Sequence, residues 1–188
     1  MALATFVKIS GVNNLSDARY CAGMEVNQLG FNIEPDHENY ISPQDFKEIA
    51  DWVSGVEFVG EVEKSSQIDE LVEEYALDAI EIQSKEQIEA AIATGLKVIF
   101  KSDDYNLIQE AVKHPKIDYC LFIGSAIGSE NEHLLVTEGF SSDNIKAYVA
   151  EYGLKGIAMQ GGNEIRPGFK DFDELADILE ALDVDEFV

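Results

Sequence analysis

Positive charge is what this chain has least of. Its 188 residues carry 13 lysines and arginines against 37 aspartates and glutamates, a formal net charge of -24. Nucleic acids and anionic membrane surfaces need a basic footprint, so the charge argues against both as partners. It reads as a solvated acidic surface that keeps the protein soluble. A phosphorylated ligand would meet a repulsive field, so any phosphate site must rely on local donors.

Cysteine is also scarce. Cys21 and Cys120 are too few for a disulfide framework. Cys21 sits in a helical pattern and Cys120 in an apolar strand pattern, so both read as reduced core residues. Of the histidines, His37 and His133 lie in acidic loop segments and His114 precedes Pro115 at a helix end. Their spacing matches no metal motif, and neither a metal nor another cofactor is expected. No apolar run approaches the ~18 residues of a membrane span. The N-terminus shows no basic stretch followed by an apolar one, so no secretory signal is expected and the cytoplasm is the natural compartment.

What is present is a steady alternation. The chain is 46% hydrophobic, enough for one globular domain over residues 1–188, though short beside the ~250 residues of a typical full barrel. Strand-like segments begin at Thr5, Val26, Val56, Ala79, Leu96, Tyr119, Leu134 and Gly156. Helix-like segments follow seven of them. Ser42-Pro43 places serine at a cap and proline in a first turn, and Asn14 or Ser16 caps the helix before Gly23. Repeated βα units imply parallel pairing with right-handed crossovers. Eight of them predict a closed (β/α)8 TIM barrel. Residues 124–133, between the sixth and seventh strands, are too few and too polar for a packed helix, so the sixth helix is shortened or missing.

In such barrels the chemistry sits at the C-terminal ends of the strands. Side chains alternate along a strand, so Lys8 and Ser10 share one face. A lysine inside a barrel is costly unless paired. Glu81, at the end of the fourth strand, has the same inward polarity. One reading is a Lys8–Glu81 ion pair filling the barrel mouth, since buried charges usually exist in pairs. The sharper reading makes Glu81 the carboxylate of an acid/base site.

Two end motifs carry a family resemblance. Lys8-Ile9-Ser10-Gly11, with Gly30-Phe31 beyond it, opens the chain. Gly161-Gly162-Asn163-Glu164, then Pro167-Gly168-Phe169-Lys170-Asp171, closes it. Both resemble phosphoribosylanthranilate isomerase, an enzyme of tryptophan biosynthesis that performs an Amadori rearrangement. The resemblance implies the barrel fold and a base at the position of Ser10, where the family has cysteine. It also implies an acid after the sixth strand, where the family has aspartate and this chain has Ile123 or Gly124. Asn39 stands where the family has an arginine for the anthranilate carboxylate. The family holds phosphate on glycine-rich loops after its last three strands, so Gly139, Gly161, Gly162 and Arg166 are the implied phosphate residues. Glu138 adds a negative charge there, and the paired glycines equally suit a plain turn.

Two functions follow. The chain is an isomerase of this kind, with lost or strongly altered activity, using Ser10, Lys8 and a carboxylate such as Glu81. Alternatively it is a non-catalytic relative that binds a small polar or phosphorylated ligand or a protein partner. A monomer or a homodimer is expected.

Overall fold

Short β-rich segments whose two faces are both apolar cannot stand at a surface, and here they close on themselves. In the computed structural model, eight parallel strands form a closed barrel. They are β1 (Phe6–Ser10), β2 (Gln28–Asn32), β3 (Glu57–Val62), β4 (Ala79–Ile82), β5 (Lys97–Ser102), β6 (Tyr119–Ser125), β7 (Asn131–Glu138) and β8 (Leu154–Gln160). Each pairs with its sequence neighbour, and β1 closes the ring against β8 through Phe6–Gly156 to Ser10–Gln160. The structure describes residues 2–129, 131–161, 163–166, 169–171 and 173–184; for 163–166 and 169–171 it describes the backbone.

Outside the ring lie α1 (Leu15–Gly23), α2 (Pro43–Ala50), α3 (Ile68–Val72), α4 (Ile88–Ala93), α5 (Tyr105–Ala111), α6 (Ile145–Tyr152) and α7 (Asp173–Leu182). Local chemistry sets their starts. The Asn14 side chain accepts from the Asp17 amide to cap α1, so Asn14 rather than Ser16 is the cap. Ser42 does the same for α2, with Pro43 in the first turn. No helix among the described residues is long and apolar enough to cross a membrane.

Strand alternation splits the core in two. Val7, Ile9, Leu29, Phe31, Ile80, Ile82, Val98, Phe100 and Val136 point outward and pack under the helices. Val59, Ala79, Ile99, Tyr119, Leu121, Leu135 and Ala158 point inward and fill the barrel. Polar side chains stand above this apolar layer, at the C-terminal ends of the strands.

The missing helix is a finding of the structure as well. Only residues 126–130 separate β6 from β7. Both strands are longer than their hydrophobicity predicts: β6 runs on to Ser125, and β7 starts at Asn131, ahead of the expected Leu134. The connecting backbone is tied to its neighbours by side chains. The Tyr105 hydroxyl donates to the Ile127 carbonyl at 3.1 Å, and the Asn131 amide to the Tyr152 carbonyl at 2.9 Å. Where a helix would lie there is a cleft of about 740 Å³ on the outer wall, bordered by Tyr105, Ile108, Val112, Leu134 and Gly153.

Two pairings were not expected from sequence. Ala2–Leu3 joins Asp183–Val184, and a hairpin of β9 (Asn163–Arg166) and β10 (Phe169–Asp171) follows β8. Cys21 and Cys120 are both buried, and neither is in a disulfide.

Candidate functional site at the barrel mouth

β1 presents Lys8 and Ser10 to the barrel interior, as alternation requires, and both are buried. Lys8 has 0% exposure. Its ammonium lies 2.6 Å from Glu61 Oε1 on β3 and 2.7 Å from Glu81 Oε2 on β4. It also donates to Ser10 Oγ at 2.7 Å. The contacts to Ser10 and Glu61 are hydrogen bonds, and the approach to Glu81 is ionic. The other Glu61 oxygen accepts from the Gly11 amide at 3.1 Å. Glu81 also faces Lys101 on β5, whose Nζ is 3.3 Å from Oε1. The result is a chain of alternating charge across four strands: Glu61, Lys8, Glu81, Lys101.

Gly30 on β2 makes room for it. A Cβ there would sit 2.0 Å from Glu61 Oε1 and 2.9 Å from Lys8 Nζ. No side chain fits without dislodging the network.

The electrostatics are those of a cluster in which two lysines face two carboxylates. Burial works against the Lys8 ammonium, but the two carboxylates outweigh it and hold its pKa above the ordinary value. Burial likewise opposes the Glu81 carboxylate, but Lys8 and Lys101 outweigh it and hold Glu81 below the ordinary range. Glu81 is 1% exposed. Its two oxygens lie in ionic contact with lysines, yet neither receives a well-angled hydrogen bond. It is held by charge more than by directional bonding.

Above the network is a pocket of about 310 Å³, lined by Ser10, Lys101, Ile123, Thr137, Glu138 and Gln160 among others. The inward row of β6 is Tyr119, Leu121 and Ile123, so Ile123 is the residue that β6 turns to the mouth. Gly124 instead donates its amide to Thr137 Oγ1 at 3.0 Å. An isoleucine side chain carries no proton to transfer.

The structure thus gathers Lys8, Ser10 and Glu81, as strand alternation predicts. It adds Glu61 and Lys101, which stand at strand ends in the sequence but reach the site only through the barrel's registry. Asn39 lies in the loop after β2, where its backbone N–H donates to His37 Nδ1 at 3.0 Å, and it is not among the pocket's lining residues. Gly139 follows β7 in a left-handed conformation, φ 90°, against the Tyr148 ring. The Gly161 amide donates to the Ser10 carbonyl at 3.0 Å. Gly162 and the Arg166 side chain lie outside the described residues. Among the described residues, no group of three or more His, Cys, Asp or Glu side chains is placed to hold a metal ion.

No protein-family model matches the chain. It is 27% identical, over 90% of its length and 94% of the relative's, to N-(5'-phosphoribosyl)anthranilate isomerase of Sulfurovum sp. strain NBC37-1. The solved phosphoribosyl anthranilate isomerase of Thermotoga maritima superposes with a TM-score of 0.73 at 22% identity, over 95% of this chain and 98% of that one. The Thermus thermophilus enzyme of the same name gives 0.75 at 20% identity, over 94% and 98%. By sequence and by fold, the chain is similar to phosphoribosylanthranilate isomerases, and it turns Ser10 and Ile123 toward the mouth of its barrel.

Proposed function

We propose that this is a phosphoribosylanthranilate isomerase-type barrel whose Amadori activity is lost or strongly altered, and whose mouth still takes a small phosphorylated sugar-type ligand. The rearrangement needs a base to take a proton from carbon and an acid to protonate the ring oxygen. One observation carries the reading: Ser10 Oγ accepts a hydrogen bond from the Lys8 ammonium. A hydroxyl acts as nucleophile or base only when a neighbour takes its proton. Here the neighbour is a cation held in its protonated form by Glu61 and Glu81.

Glu81 does not supply the acid either. Two lysines keep it ionised, so it has no proton to give near neutral pH. A general acid works best with a pKa near the operating pH. Neither Ile123, which faces the mouth, nor Gly124 can do the work of the family's aspartate, since neither carries a carboxyl group. General acid–base groups contribute about 10²–10⁴-fold each, and both are displaced here. Fold and ancestry alone do not guarantee activity. The cytoplasm is the compartment we assign, consistent with two buried thiols that form no disulfide.

The test is turnover of N-(5-phosphoribosyl)anthranilate, generated in situ and followed by loss of its fluorescence. The expected result is a rate near the uncatalysed one, unchanged by Ser10→Ala. Substantial turnover abolished by Ser10→Ala would mean that an active site has been rebuilt around serine, and the proposal would be wrong.

A further inference from the structure

Barrels of this architecture commonly hold phosphate on backbone amides of the loops after the last strands. In this chain several of those amides are already engaged. Gly124, near the C-terminal end of β6, donates to Thr137 Oγ1 at 3.0 Å. The Ala126 amide donates to the Tyr148 hydroxyl at 2.7 Å, and Ser141 to Asn144 Oδ1 at 2.7 Å. Gly161, after β8, donates to the Ser10 carbonyl at 3.0 Å. Glu138, at the end of β7, lines the same pocket and repels an anion. Each of these groups would have to break an internal bond before it met a ligand.

The cations of the mouth differ sharply in what they have left to offer. Lys8 is fully buried, hydrogen-bonded to Ser10 and Glu61 and in ionic contact with Glu81, so no part of it reaches the pocket. Lys101 is 16% exposed, lines the pocket, and has one ionic contact among the described residues, the 3.3 Å approach to Glu81. An ammonium carries three donors, so two of its N–H groups remain. The pocket walls next to it offer Ser10, Thr137 and Gln160, hydroxyl and amide groups of the kind that bind sugar hydroxyls, and apolar Leu121, Ile123 and Met159.

We propose that Lys101 is the anion anchor of the mouth: its side-chain ammonium takes the phosphate monoester of a small sugar phosphate, in place of the backbone loops. This rests on reading the mouth as a ligand site. The volume of about 310 Å³ suits a single pentose phosphate. The anchor also sits deeper than a loop site, beside Ser10 and Glu81, so the sugar lies against the network itself. Glu138 limits affinity from the rim.

Calorimetric titration with ribose 5-phosphate, with ribose as the uncharged control, tests this. The wild-type protein is expected to bind ribose 5-phosphate saturably and at least about tenfold more tightly than ribose, the usual range for a charge-assisted contact. Lys101→Gln should weaken ribose 5-phosphate about tenfold or more, Lys101→Arg should stay within a few fold, and Glu138→Gln should bind more tightly. Lys97→Gln, on the opposite face in an exposed pair with Glu57, should change nothing.

A second measurement does not depend on how the variants fold. Ribose 5-phosphate should protect Lys101, but not Lys97, from acetylation read by mass spectrometry. Equal binding by wild type and Lys101→Gln, no preference for ribose 5-phosphate over ribose, or acetylation of Lys101 unaffected by the ligand would each overturn the proposal. None of these readouts involves turnover, so Ser10-dependent catalysis would sink the functional reading and leave the anchor standing.

Discussion

Lys8 and Glu81 show how one pair of residues decides between structure and chemistry. A buried charge pair is stable only while both partners stay charged. Removing Glu81 leaves Lys8 with Glu61 alone and takes away the carboxylate that faces Lys101, so Glu81→Gln should cost about 3 kcal/mol in urea unfolding at neutral pH. The pH dependence has a definite sign. The folded pKa of Glu81 lies below its unfolded value, so its contribution is present above the ordinary 4.5 and is lost as pH falls through the lowered value. Lys8 is raised, so its contribution is present below the ordinary 10.5 and is lost as pH rises through the raised value. Unfolding curves should therefore weaken at both extremes, and Glu81→Gln should flatten the acid limb. Cys120 behaves in the opposite way: burial pushes its thiol up to about 12, so alkylating reagents should leave it unmodified in the native protein. Strand alternation makes the Lys8–Glu81 pairing legible in the sequence. Glu61 and Lys101 are not legible as partners, because which inward residues meet is set by the closure and stagger of eight strands. That β6 turns Ile123 and not Gly124 toward the mouth is a further case, since it too depends on the closed barrel.

Among the elements, the β6–β7 connection departs most from the repeated unit. Its lack of a helix can be read from length and polarity. Its extended strands cannot, because Asn131, Glu132 and His133 look like a loop. Asn131 lies under the connection and its side-chain amide donates to the Tyr152 carbonyl. Tyr148 on α6 does the equivalent work at the top, accepting from the Ala126 amide and donating to the Glu138 carbonyl at 3.1 Å. Gly139 must stay small for this to hold. A Cβ there would lie 2.3 Å from the Tyr148 hydroxyl oxygen, and its φ of 90° suits glycine alone. Gly139→Ala should destabilise the protein by about 1–3 kcal/mol. Tyr148→Phe should cost about 1–3 kcal/mol, because it strands the Ala126 amide. Thermal melts of the two variants check both. Helix starts at Asn14 and Ser42 were legible for the opposite reason: caps are local, and local chemistry survives in the sequence.

For the whole molecule, the net charge of -24 is spread over a surface that wraps a charge-balanced mouth. Self-repulsion of the surface should be screened by salt, whose Debye length falls from about 30 Å at 0.01 M to about 3 Å at 1 M. Melting temperature should therefore rise across that range. The mouth network is buried and should keep its ionisation state throughout. Fold class is legible at this scale because the βα alternation is global, while activity is not, because it depends on a few side chains that a shared fold leaves free to change.

The account stands on the mouth being a closed, fully ionised network and not an acid/base pair. The most direct measurement is a pH titration of the Glu81 side-chain carboxyl by carbon-13 NMR, with Glu81→Gln used to assign the signal. The account predicts a carboxyl that stays ionised to below its ordinary value of 4.5. A carboxyl that takes up its proton near neutral pH would contradict it, and would return Glu81 to the role of catalytic acid.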